Sequence, residues 1–260
     1  MKNTIQKELD LAKRKMIEEE AGSFQGKKLA KLTQDNIAIV EAMIRNDSAY
    51  IHSTDINAKP TYNSNNETKY GGSTAYWMTQ LKNFLNDKLD SGYSYKEILE
   101  GAVASVDREN STHLNADKCG RKEITERLCE FDHTEFIECL KNPEYKDMKL
   151  IQEISRKTSA KQNARTNPSF ASKFCHYACF YIFEGTEYQD NYSIYDGILR
   201  KVLPLYLDYY KIEGSYDLNN YREYRMAVDK IREKVREKYG IEISRNGFDH
   251  LLWYYHKGRL

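Results

Sequence analysis

Apolar residues recur every three or four positions along most of this chain, and the valine-rich alternation that marks strands is missing even where the helical period lapses. A period near 3.6 places those side chains on one face of a helix, so the chain is restricted to packing helix against helix. The pattern predicts an opening amphipathic helix over residues 2–21, carrying Ile5, Leu9, Met16 and Ile17, and a second over 33–46 capped by Thr33. Further helices are predicted at 73–89, 94–106, 121–141 and 144–159, then from Pro168, at 193–210 with a bend at Pro204, and at 219–239 and 246–256. Between 46 and 72 the composition turns to Asn, Ser, Thr, Tyr and Gly, which suits either a long functional loop or a small irregular strand region.

At 260 residues the chain can form one large domain or two lobes. The expected division is a helical lobe over 1–153, including the polar stretch, and a second over 154–260, with interleaving allowed. Formal net charge is only +1, but it is unevenly placed. Residues 86–153 hold sixteen acids against ten bases, whereas 154–183 hold Arg156, Lys157, Lys161, Arg165 and Lys173 with no acid at all. An acid-free basic window on an acidic background marks a local anion-binding face. Five cysteines without zinc or CxxC spacing imply reduced thiols in the cytoplasm, and Cys175 and Cys179, one helical turn apart, are expected to be packed rather than to hold a metal. No cofactor is implied. The charged N-terminus lacks the apolar core of a signal peptide, and no run approaches membrane-spanning length.

The stretch 167–203 concentrates the chemistry. Pro168 and Ser169 read as a helix start, Lys173 lies one turn inside among Phe170, Phe174, Tyr177 and Tyr181, and Asp196 takes the N-cap position of the next helix. Burial among apolar groups destabilises an ammonium and frees the amine as a nucleophile. Lys173, Tyr177 and Tyr181 follow at four-residue spacing, which sets an aromatic wall beside that amine. A carboxylate fixed by backbone N–H groups beside it stabilises developing positive charge or moves a proton. The plain reading of Asp196 is a helix cap, and of Trp77 a core anchor.

A lysine at a helix start, an apolar helix, and then Ser193-Ile194-Tyr195-Asp196-Gly197-Ile198-Leu199-Arg200-Lys201-Val202 resemble the catalytic segment of the helix-hairpin-helix DNA glycosylase superfamily. The phrases SFASKF and YSIYD look closest to bacterial relatives of its 8-oxoguanine branch. The resemblance covers about forty residues. It implies a mainly α, two-lobed helical bundle with a central cleft, acting on double-stranded DNA with a flipped base. Lys173 would attack the sugar C1′ and form a Schiff base, with Asp196 as its electrostatic partner. The product would be excision of an oxidised purine or a phage-type modified base, with abasic-site lyase activity as its extension. Two features depart from the family: Ala164-Arg165-Thr166-Asn167-Pro168-Ser169 replaces the Gly-rich phosphate hairpin, and the lysine-to-aspartate gap is longer.

Phosphate contacts on this reading fall to Arg156, Lys157, Lys161, Arg165, Asn167 and Ser169 on one side, and to Arg200 and Lys201 on the other. The base would stack on Tyr177, Tyr181, Trp77 or Trp253. The competing expectation is a non-catalytic helical protein that binds nucleic acid or a protein partner, for example in phage defence.

Overall fold

The structure, a computed structural model, describes residues 11, 14–15, 23–51, 61–62, 68–69, 71–88, 92–110, 112–114, 120–158 and 166–257. The helix expected over 2–21 therefore falls almost wholly outside the described residues. In chain order the elements begin with β1 (Ser23–Phe24), β2 (Lys27–Lys28), α1 (Gln34–Ile51), β3 (Thr61–Tyr62), β4 (Thr68–Lys69), α2 (Thr74–Leu85) and α3 (Tyr95–Glu109). They continue with α4 (Gly120–Cys129), α5 (His133–Lys141), α6 (Lys149–Ser155), α7 (Pro168–Ile182), α8 (Gly197–Tyr209), α9 (Tyr221–Tyr239) and α10 (Arg245–His256). The chain is thus mainly helical, as its periodicity requires, and none of its described helices is long and apolar enough to cross a membrane. The chain forms two compact units in interleaved order: a middle unit of residues 51–192, and a terminal unit of residues 1–50 with 193–260.

In the middle unit α7 is the packing centre, touching α2, α3, α5 and α6, while α4 bridges α3 and α6. Ser94 starts α3 through a capping box with Glu97, each side chain satisfying the other residue's backbone N–H. Trp77 of α2 is fully enclosed, its indole N–H donating to the Gly71 carbonyl at 2.7 Å and its ring lying on Gly101 of α3. The absence of a side chain at Gly101 is what lets the ring approach the α3 backbone so closely.

Three sequence expectations are corrected here. The single helix over 121–141 is two, because Asp132 accepts from the Glu135 N–H at 2.8 Å and starts α5 afresh. The helix over 144–159 shrinks to α6, since Lys146, Asp147 and Met148 adopt φ of 44°, 59° and 62°, the left-handed region in which an α-helix cannot begin. In the polar stretch, α1 extends past the expected end near 46 to Ile51, and the described residues of β3 pair antiparallel with those of β4, Thr61 opposite Lys69 and Tyr62 opposite Thr68, while 52–60, 63–67 and 70 lie outside the described residues.

Below α6 the chain is held by Arg127, which is 8% exposed. Its guanidinium donates to the carbonyls of Glu153, Arg156 and Lys157 at 3.3, 2.9 and 2.8 Å. These are orphan acceptors at a helix C-terminus, and one planar donor fork satisfies all three.

In the terminal unit α8 packs against α9 and α10. The β1–β2 hairpin turns on Gln25 and Gly26 with φ of 52° and 73°, the two positive values of the tight turn that matches strand twist. It is docked by Phe24, edge-on to Tyr209 of α8 at 5.5 Å, and by the Ala30 N–H donating to the Tyr206 hydroxyl at 2.8 Å. Glu41 of α1 accepts from both the N–H and the hydroxyl of Ser244, at 2.8 and 2.7 Å, so the start of α10 is fixed to α1.

Candidate functional site

Helix α7 begins as its sequence requires, with Pro168 at N1 where a missing N–H costs nothing. Phe170, Ala171, Phe174, Cys175, Ala178 and Cys179 are buried, which leaves Lys173 and Tyr177, one turn apart, half-buried on the remaining stripe. Both reach the same residue. The Lys173 ammonium lies 3.5 Å from the carbonyl oxygen of Asn110, and the Tyr177 hydroxyl donates to the Asn110 side-chain oxygen at 3.2 Å. Asn110 is the C-cap of α3 and donates its amide to the Val106 carbonyl at 3.0 Å. Among the described residues Lys173 has no carboxylate partner. The carbonyl end of a helix also attracts a cation, so a packing role for Lys173 is contained in the same geometry.

Lys173 belongs to the middle unit and Asp196 to the terminal unit. Asp196 is the N-cap of α8, its carboxylate accepting from the Ile198 N–H at 2.7 Å, and its setting is aromatic. Tyr224 donates its hydroxyl to the Ile194 carbonyl at 2.7 Å and accepts from the Asp196 backbone amide, with its ring 5.0 Å from that of Tyr195. Burial first, then the electrostatic effect of Asp249, Tyr221 and Asp196, pushes that hydroxyl well above the usual tyrosine value. Tyr224 therefore remains a proton donor that fixes the backbone entering α8.

The described phosphate-contact candidates divide into three groups. Lys157 and Lys201 are exposed, and among the described residues neither has an acidic partner. Arg156 and Arg200 are already engaged: Arg156 pairs with Glu153 at 3.0 Å, and Arg200 donates to Tyr195 and Asn219, both at 2.9 Å, while lying over the Tyr195 ring. Asn167 is buried, with its N–H bonded to the Ser155 carbonyl at 2.8 Å, and Ser169 is half-buried with its carbonyl taken by the Ser172 hydroxyl. Lys161 and Arg165 lie outside the described residues.

No protein-family model, curated protein or solved structure matches the chain. What the site can do is read from its residues alone. Of the four rings expected to stack a base, two are corrected by burial. Trp77 and Tyr181 are 0% and 3% exposed, core side chains that a nucleobase cannot reach without unpacking the middle unit. Tyr177 stays partly accessible beside Lys173, and Trp253 is half-buried in the terminal unit with the Lys257 ammonium 3.9 Å from its ring centre.

Cys175 and Cys179 are fully buried, the Cys179 thiol directed at the Leu140 carbonyl at 3.5 Å. Burial, followed by the neighbouring Cys179 and Cys139 thiols, holds the Cys175 thiol well above its ordinary value. A protonated, packed Cys175 thiol is a poor nucleophile. Asn110 is the residue the sequence reading did not single out. Its signal was local, a polar residue able to close α3 directly after Glu109, but its meeting with Lys173 and Tyr177 spans more than sixty residues of chain.

Proposed function

We propose that the chain is a DNA glycosylase in which the Lys173 amine is the nucleophile. The observation that carries the reading is the Lys173 environment: a half-buried amine on an apolar helix, flanked by Tyr177, whose polar neighbour is a carbonyl and which has no carboxylate partner among the described residues. A lysine so placed is not held in an ion pair by any described carboxylate, so its amine is not tied to a fixed acidic partner. In the reaction the amine nitrogen bonds to C1′ of a flipped nucleotide as the C1′–N bond to the base breaks. The base leaves with the bonding electrons and takes up a proton, and the ring-opened sugar stays linked to Lys173 as an imine. Elimination of the 3′ phosphate from that imine gives strand cleavage, and hydrolysis returns the free enzyme. The substrate class is a damaged or modified base, an oxidised purine or a base of phage type, in double-stranded DNA.

Borohydride reduces such an imine to a stable amine, so trapping is the direct assay. Incubation with duplexes carrying oxidised purines, modified pyrimidines or an abasic site is expected to give a covalent adduct that Lys173→Gln abolishes. Absence of an adduct with every duplex in the panel would refute the reading. A second reading, a non-catalytic nucleic-acid-binding protein, is favoured by the Lys173–Asn110 contact at the carbonyl end of α3. It predicts salt-dependent DNA or RNA association that Lys173→Gln leaves unchanged.

A further inference from the structure

A base that leaves C1′ with the bonding electrons must gain a proton, and it departs faster beside a fixed proton donor. Helix α7 carries six side chains with a thiol, imidazole, phenol or ammonium proton: Lys173, Cys175, His176, Tyr177, Cys179 and Tyr181. Four of them are core. Cys175, His176, Cys179 and Tyr181 are at most 3% exposed, and the His176 Nδ1 lies 3.1 Å from the Tyr192 carbonyl oxygen. With Lys173 as the nucleophile, the remaining donor is Tyr177, half-buried and one turn further along the same stripe.

Asn110 sets where that donor's proton lies. Its side-chain nitrogen donates to the Val106 carbonyl at 3.0 Å, and its side-chain oxygen is the atom 3.2 Å from the Tyr177 hydroxyl. An amide oxygen can only accept, so the proton is on Tyr177. The backbone carbonyl of the same residue lies 3.5 Å from the Lys173 nitrogen and likewise can only accept. Nucleophile and donor are thereby gathered at the C-terminal end of α3, within the middle unit. The hydroxyl bond is longer than the usual O–H···O distance of about 2.7–2.8 Å, so little is lost when the proton turns to another acceptor.

We propose that Tyr177 is the catalytic acid of the base-excision step, its hydroxyl giving its proton to the base as the C1′–N bond breaks. The proposal rests on the reading of Lys173 as the nucleophile. The step balances without an outside reagent. The Lys173 amine brings two N–H protons and the imine keeps neither: one passes to the ring oxygen O4′ as the sugar opens, and the other returns to the Tyr177 phenolate. The proton that Tyr177 gave leaves on the base, and the phenol is restored for the next turnover.

Excision and imine formation are read separately, because an abasic site has no base to lose. Tyr177→Phe keeps the ring and removes only the hydroxyl, and circular dichroism checks its fold. In single-turnover assays on a duplex that the wild type excises, this variant is expected to release the base about a hundredfold more slowly. Its borohydride trapping on an abasic duplex is expected to match the wild type, whereas Lys173→Gln loses both activities. The deficit is also expected to shrink for a base that departs readily as an anion, since such a base needs the proton least. The proposal is overturned if Tyr177→Phe releases the base at the wild-type rate, or if trapping on the abasic duplex falls as far as base release, which is the mark of a structural role. A wild type that traps the abasic duplex but releases no base overturns the proposal and leaves the Lys173 chemistry standing. A wild type that gives no adduct with any duplex refutes both.

Discussion

Replacing Gly101 by alanine adds a single methyl group on the face of α3 that meets Trp77. A Cβ built there falls within 2.5 Å of three carbons of the indole ring, where ordinary carbon contacts are about 3.5–4.0 Å. The ring cannot yield freely, because it is fully buried and its N–H is bonded to Gly71. Relief requires α2 and α3 to move apart by about 1 Å, in a unit packed throughout. Overpacking of that kind costs about 3 kcal/mol, and alanine returns about 1 kcal/mol through its better helix propensity. The net loss is about 2 kcal/mol, or a fall in Tm of about 4–8 °C for a unit of this size. Thermal unfolding followed by circular dichroism measures it, and Trp77 fluorescence reports whether the ring has become wetter. Gly197→Ala is the internal control, since nothing lies within 4 Å of the added carbon at the start of α8, and its Tm should be unchanged or slightly raised. A Gly101→Ala protein as stable as the wild type, or more so, would show that helix propensity and not the ring contact governs the position, and the reasoning about this interface would be wrong.

Two further perturbations test how the middle unit is held. Arg127→Ala removes the donor shared by three carbonyls at the end of α6 and is expected to cost about 3 kcal/mol, read as a lowered denaturation midpoint in urea. The conservative change Arg127→Lys should recover only part of this, because a point charge cannot span the three acceptors. Asp107 supplies a pH dependence. Burial opposes its charge, but hydrogen bonds from Thr112, the Leu114 N–H and Arg121, with the Arg121 charge, outweigh burial and hold the carboxyl below its ordinary value. A folded pKa below the unfolded one contributes stability that is present above the unfolded carboxylate value and is lost as pH falls through the folded one. Asp107→Asn should therefore flatten the acid side of the stability–pH curve. If wild type and variant lose stability in parallel over that range, Asp107 is not the group responsible.

Much of the local structure was legible in the chain. Asp196 caps α8 as its position predicts, and α2 and α3 start at the expected Ser73 and Ser94, because a short oxygen-bearing side chain before an apolar period accepts an orphan N–H; Ser244, which caps α10 ahead of the expected start at 246, was not read. The start of α7 at Pro168 and the burial of its Phe, Ala and Cys face follow from the same local rules. The breaks were harder to read. The left-handed turn at Lys146, Asp147 and Met148 carries no glycine to announce it, and the restart at Asp132 lies inside an apolar pattern that continues across it.

The candidate site divides along the same line. Sequence alone determined that Lys173 sits on an apolar helix beside Tyr177 and that Asp196 begins the next helix, since these depend only on spacing within one element. Tertiary packing decided that Trp77 and Tyr181 are core, that Arg200 is engaged by Tyr195 and Asn219, and that Lys173 meets Asn110. The physical reason is range. Capping and periodicity act over a few residues of backbone, whereas burial and charge pairing depend on which distant surfaces meet, and that is fixed only when the helices pack.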